Sequence, residues 1–291
     1  VLITGVKRDI ELVQQVPTDQ PAQITVLDIS LDKNRAAVDA LLGAGSKLFY
    51  VDHHFPGDSL PEHPAFRGVI DTRATTCTSL LVDEYLGGRF HNWAITAAFG
   101  DNLNAVGHEL AQQAGLSAGQ ESALAELGVC INYNGYGASL DDLHFHPAQL
   151  YRELVQYADP LDFIAANGAA YQQLREGYQK DMQQGLAAKV IAETASSRVV
   201  ALPNEPWARR VSGVLGNELA NANPSQACAI LTERPNGSWL VSIRAPLNNR
   251  TGADEVARRF PTGGGRKAAA GINALPADQL DAFLQCMAQF W

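Results

Sequence analysis

Short apolar runs alternate with amphipathic stretches through the first hundred residues, the pattern of a parallel sheet covered by crossover helices. Residues 1–6, 24–29, 47–51 and 68–70 read as strands, and residues 10–16, 33–42 and 78–86 as helices. Asp32 stands where the second of these helices would take an N-cap. From His108 to about Ala188 the strand pattern gives way to helical periodicity, punctuated by Gly135, Gly137 and Pro160. Strand signals return over residues 199–202, 227–232 and 238–243, the last two joined by Pro235-Asn236-Gly237, a hairpin turn. The pattern therefore predicts an α/β chain in three parts. Residues 1–107 form a parallel-sheet domain, 108–188 a helical connector, and 189–291 a second, smaller α/β domain.

Composition narrows the classes this architecture serves. A chain of 291 residues is long enough for two domains, each with its own core. Hydrophobic residues make up 46%, charged residues 18%, and mean hydropathy is -0.11, with no apolar run long enough to span a bilayer. A membrane role is not expected. The net charge of -9 argues against holding long nucleic acid on a broad basic surface, while leaving room for a small anion in a local pocket. Cys77, Cys130, Cys228 and Cys286 lack the paired spacing of zinc or redox motifs, which suits reduced thiols in a cytoplasmic protein.

In an α/β sheet, ligands gather at the carboxyl ends of strands. Asp52-His53-His54 directly follows the apolar strand 47–51, placing carboxylate and imidazole donors together at such an end. Asp28 ends the strand before it, and Asp101 follows the apolar stretch 94–99 with Gly100 between. Three parallel elements could point these acids into one cleft. Mn2+ or Mg2+ takes hard carboxylate oxygens, imidazole adds well for Mn2+, and paired ions clamp a phosphoryl displacement. Read singly, Asp28 and Asp101 are also compatible with helix capping. His144-Phe145-His146, with Asp141 and Asp142 nearby, is a rival metal motif, but no strand pattern supports it and a solvated helix boundary explains it better. Lys7-Arg8-Asp9 either reaches the cleft or begins a solvated helix.

Together, Asp28, Asp52-His53-His54 and Asp101 resemble, in order and spacing, the second, third and fourth motifs of the DHH phosphoesterase superfamily. Farther on, Val241-Ser242-Ile243-Arg244, Ala253-Asp254-Glu255-Val256-Ala257 and Gly263-Gly264-Gly265-Arg266-Lys267-Ala268-Ala269-Ala270-Gly271 resemble the DHH-associated substrate-binding domain of RecJ-like and nanoRNase-like proteins. The resemblance implies that Asp28 bridges two metals, that His53 and Asp101 hold the second, that Asp52 orients His53, and that His54 contacts the scissile phosphate. It implies two Mn2+ or Mg2+ ions in the complete protein. It also implies phosphate binding by Arg244 and the glycines, whose bare amides suit close approach to an anion. The family's usual histidine after the glycines is Arg266 here, which suits anion binding and departs from the nucleobase or leaving-group contact a histidine makes.

The family's first motif is an Asp-x-Asp pair, and no such pair lies upstream of Asp28. The chain opens on Val1-Leu2-Ile3 with no initiator Met, and the resemblance makes residues 1–16 the family's second strand and its helix, so the absent piece, whether truncated or naturally lost, would be one strand and one helix. The expected activity is exonuclease-like, metal-dependent hydrolysis of a phosphodiester or phosphoanhydride in a short oligonucleotide or small nucleotide bound between the domains. Activity is expected to be impaired in this chain. Pyrophosphate or polyphosphate is the alternative substrate. A non-catalytic, nucleotide-binding regulatory protein is the alternative function.

Overall fold

The computed structural model describes residues 1–291, which divide into two compact units. The first holds Val1–Gly135 and His144–Arg175, and the second Tyr136–Leu143 and Glu176–Trp291.

In the first unit, β1 (Gln23–Leu27), α1 (Leu31–Gly43), β2 (Lys47–Asp52) and β3 (Phe66–Ile70) build a three-stranded parallel sheet in the order β1-β2-β3. The register pairs Leu27 with Val51 and Asp52 with Ile70, so Asp28 and Asp52 stand at the same carboxyl edge. Apolar positions at helical spacing explain the crossover: Leu31, Val38, Leu41 and Leu42 of α1 are buried against Val26, Leu48 and Tyr50. Each such leucine contributes roughly 1.5–3 kcal/mol through burial. The helix begins after Ser30 rather than at Asp32, which lies inside its first turn. Buried Asn34 ties the helix to the chain before it, accepting from Val13 N–H and donating to the Ile10 carbonyl.

Two sequence expectations fail ahead of β1. Residues 1–6 join neither sheet, because an apolar run becomes a strand only where another strand satisfies its backbone. The expected helix over 10–16 is one short 3-10 turn, Leu12–Gln15.

Helices complete the unit: α2 (Thr78–Tyr85), α3 (His91–Gly100), α4 (Asn104–Gln113), α5 (Ala118–Tyr133), α6 (Pro147–Leu154), α7 (Pro160–Ala166) and the start of α8 (Ala169–Leu186). Helices α3 and α5 approach closely at Gly100 and Gly128. A Cβ on Gly128 would lie 2.0 Å from the Thr96 carbonyl oxygen, and one on Gly100 would lie 2.7 Å from the Gly128 carbonyl oxygen. No helix of the protein is long and apolar enough to cross a membrane.

The second unit is a six-stranded mixed sheet in the order β4-β5-β6-β7-β9-β8. It comprises β4 (Lys189–Glu193), β5 (Ser197–Leu202), α9 (Pro206–Ala222), β6 (Ala227–Glu233), β7 (Trp239–Arg244), α10 (Ala253–Ala257), β8 (Gly263–Gly265), β9 (Ala269–Leu275) and α11 (Leu280–Phe290). Strands β5 and β6 are parallel, joined by the α9 crossover, and the other pairings are antiparallel. Helix α11 buries Phe283 and Met287 in a core shared with Val241, Ile243, Val256 and Ile272. The turn between β6 and β7 places Gly237 at φ 76°, a left-handed conformation that glycine adopts without steric cost.

Candidate metal centre

Asp28 is the first residue beyond β1, and its amide still donates to the Val51 carbonyl, extending the ladder by one step. Its φ of 61° is left-handed, which costs a non-glycine residue on the order of 1 kcal/mol. That turn ends the strand and begins the approach to α1, leaving the Asp28 carboxylate largely exposed at the sheet edge.

His53, one residue past β2, is buried, with Nδ1 3.0 Å from the Thr76 carbonyl oxygen. A carbonyl can only accept, so in the neutral ring Nδ1 carries the proton and Nε2 keeps its lone pair. Nε2 stands 3.5 Å from Asp28 Oδ1 and 3.9 Å from Asp101 Oδ2. The structure thus brings Asp28, His53 and Asp101 together. Ligand atoms of Asp28, His53 and His54 also lie within 4.8 Å of one another.

Asp101 arrives by a different route from that expected. It caps the C-terminus of α3, a helix and not a member of the parallel sheet. Asn102, at φ 59°, takes the left-handed position after the cap. The Leu103 and Asn102 amides donate to the Ala98 and Phe99 carbonyls, closing the helix end in a Schellman arrangement. Together with the close α3–α5 packing, this fixes where the carboxylate emerges.

Asp52 corrects another expectation. Its carboxylate accepts from His54 Nδ1 at 2.7 Å, whereas His53 is oriented by the Thr76 carbonyl. Alternation along an extended chain explains the difference, since residues 52 and 54 face one side and residue 53 the other. Asp52 is fully buried, and its Oδ2 has no hydrogen-bond partner. Its charge, after burial itself, helps push the nearby Tyr50 phenol above its ordinary pKa.

A cavity of about 480 Å³ opens beside these groups, with Asp28, Asp101, Lys7, Asn132, Cys77 and Thr78 on its wall. Leu27, Val82, Phe90 and Trp93 give it a broad apolar side. The Lys7 ammonium donates to Asn132 Oδ1, and the Lys7 amide to the Gly135 carbonyl, so the residue belongs to this wall rather than to a solvated helix. Burial first, then Asp101 and Asp28, push the Cys77 thiol up to about 11. All four cysteines are free. Thr76 and Thr78 were missed by sequence reasoning, because hydroxyl residues ahead of a helix ordinarily signal capping.

The rival motif is a helix boundary. His146 is the N-cap of α6 and accepts from the Ala148 amide, while His144 Nε2 meets the Tyr133 hydroxyl.

In the second unit, Arg244 ends β7, its Nε donating to Asn217 Oδ1 of α9 at 2.8 Å. The glycines expected as an open loop form edge strand β8, laddered to β9. Close approach explains the residue type: a Cβ on Gly263 would lie 1.8 Å from the Ala257 carbonyl oxygen, and one on Gly265 would lie 2.5 Å from Ala270 Cα. Gly264 has open space around it. Arg266 is exposed at the turn between β8 and β9, where its amide donates to the Ala269 carbonyl.

The donor set fits a hard divalent cation. It offers two carboxylates and an imidazole whose Nδ1 is already committed, so that Nε2 faces the acids. Asp28, His53 and Asp101 would hold such an ion, with His54 close enough to contribute.

The structure thus holds two α/β units, one with an acid and imidazole cluster at the carboxyl edge of a parallel sheet. Residues 169–291 match the DHHA1 domain. The chain is similar to the pGpG-specific phosphodiesterase PggH from Vibrio cholerae (12% identity, TM-score 0.51), over 92% of this chain and 99% of that one. It is also similar to CDC45 from Entamoeba histolytica (8% identity, TM-score 0.50), over 96% and 97% of the two chains. An exopolyphosphatase-related protein from Bacteroides fragilis aligns at 14% identity and TM-score 0.47, over 96% and 73%. No curated protein matches the sequence.

Proposed function

We propose that the protein is a divalent-metal phosphoesterase acting on small nucleotides or short oligonucleotides. The observation that carries this reading is His53 Nε2, lone pair available, set between Asp28 and Asp101 at the sheet edge. A divalent ion held there, Mn2+ or Mg2+, would supply Lewis acidity toward a phosphoryl oxygen and lower the pKa of water. The chain's own residues do the rest. His54, held through Nδ1 by the buried Asp52, offers its ring to a phosphate oxygen or to the leaving oxygen. Lys7 and Asn132 bring a cation and an amide to the same cavity, where they can bind a non-bridging oxygen. Arg244 and Arg266 are the candidate anion contacts of the DHHA1 domain.

The cavity's apolar side favours an organic phosphodiester over inorganic polyphosphate, which has no apolar surface to bury. The Vibrio cholerae phosphodiesterase is named for pGpG, which makes that dinucleotide a natural first substrate to test. The net charge of -9 disfavours long duplexes.

Ligand counting favours a second reading for these 291 residues. Such cations take about six ligands, and Asp28, His53 and Asp101 supply only part of one shell. We therefore infer that this chain holds one ion weakly and turns over slowly, and a nucleotide-binding regulatory role is the alternative. The test is a panel of pGpG, a chromogenic phosphodiester, pyrophosphate and polyphosphate, each with Mn2+. Cleavage of the organic diesters above the anhydrides supports the reading. Nucleotide binding without cleavage of any of them favours the regulatory role.

A further inference from the structure

The turn ahead of α2 touches the candidate ion site twice. The Thr76 carbonyl accepts from His53 Nδ1, and the Thr78 hydroxyl donates to Asp28 Oδ1 at 2.8 Å. Thr78 is buried, 6% exposed, whereas Asp28 is mostly exposed and held at a left-handed backbone position. An exposed carboxylate on such a turn would ordinarily sample several rotamers. Its one side-chain hydrogen bond is the one from Thr78.

The hydroxyl is not engaged in capping, because Thr78 is the first residue of α2 and Cys77 occupies the N-cap. Because Thr78 donates to Oδ1, it orients the carboxylate with its remaining lone pairs free for a cation, and Oδ1 stays beside His53 Nε2. Orienting bonds of this kind to a ligating group are worth roughly 10–100-fold in metal affinity.

We propose that Thr78 is a positioning residue for a divalent cation, its hydroxyl fixing Asp28 while the carbonyl two residues earlier fixes His53. The proposal rests on the ion-site reading above and adds to it a determinant outside the ligand set.

The experiment is Mn2+ affinity, measured by the free-ion electron paramagnetic resonance signal, for the unaltered chain, Thr78→Val, Thr78→Ser and Thr78→Ala, with metal-free melting curves for each. Thr78→Val keeps the shape and should weaken binding at least ~10-fold, and Thr78→Ser should restore it to within about threefold. If Thr78→Val melts early, Thr78→Ala carries the same expectation. Binding undiminished in the folded Val or Ala variant, or a Ser variant as weak as Val, overturns the role of Thr78 alone. No Mn2+ uptake by the unaltered chain overturns the ion site and this proposal with it.

Discussion

The Thr76 carbonyl oxygen lies 3.0 Å from His53 Nδ1, and this contact decides which face of the ring meets the acids. A carbonyl admits only a donor, so neutral His53 must be the Nδ1-protonated tautomer. A long-range proton–nitrogen correlation spectrum of the metal-free protein should show that tautomer. A proton on Nε2 would mean the ring cannot ligate in this orientation.

On the proposed reading, the pairing of Asp52 with His54 bears more on phosphate contact than on the ion. Asp52→Asn should cost less in Mn2+ affinity than in hydrolysis, which should fall roughly tenfold or more, because Asp52 touches His54 and not His53. A loss of affinity as large as the loss of rate would show that Asp52 acts through the ion ligands after all.

The first unit's sheet and the convergence of Asp28, His53 and Asp101 were largely legible in the sequence, for identifiable reasons. Apolar runs ending in Asp28 and Asp52 marked two strand ends, and parallel register then brought them to one edge. Which imidazole Asp52 would serve was not legible, because it depends on chain alternation past the end of β2. Asp101 was found by motif spacing although its apolar stretch is a helix, since a short apolar run fits either element. Residues 1–6 carry a strand pattern without a strand, because pairing is a property of neighbours. The glycines looked like a loop because the crowding of Gly263 by Ala257 is a tertiary fact.

That crowding sets up a contrast within one run of identical residues. Gly263→Ala should destabilise the second unit by roughly 3 kcal/mol, because its Cβ would meet the Ala257 carbonyl, while Gly264→Ala should stay within about 0.5 kcal/mol. Urea unfolding of the two variants checks this. Equal effects would mean β8 is not packed against the end of α10.

Within the second unit, Arg209 grips buried Asp142 through two hydrogen bonds, Nε to Oδ2 at 2.8 Å and a terminal nitrogen to Oδ1 at 2.6 Å. The guanidinium holds the Asp142 carboxyl below its ordinary pKa, aided by the Ala138 amide. A lowered folded pKa contributes stability that is fully present above the ordinary carboxylate pKa of about 3.9 and is lost as pH falls through the folded value. Asp142→Asn should cost roughly 3 kcal/mol near neutral pH and flatten the acid side of the stability profile. An unchanged slope below about pH 4 would contradict this.

The most direct test of the account is phosphodiester hydrolysis by this chain with Mn2+, with chelator in place of Mn2+, and after His53→Ala. The account predicts slow hydrolysis that requires Mn2+, disappears in chelator and is abolished by the substitution. Hydrolysis that persists in chelator, or that survives His53→Ala at the full rate, would place the chemistry elsewhere and contradict it.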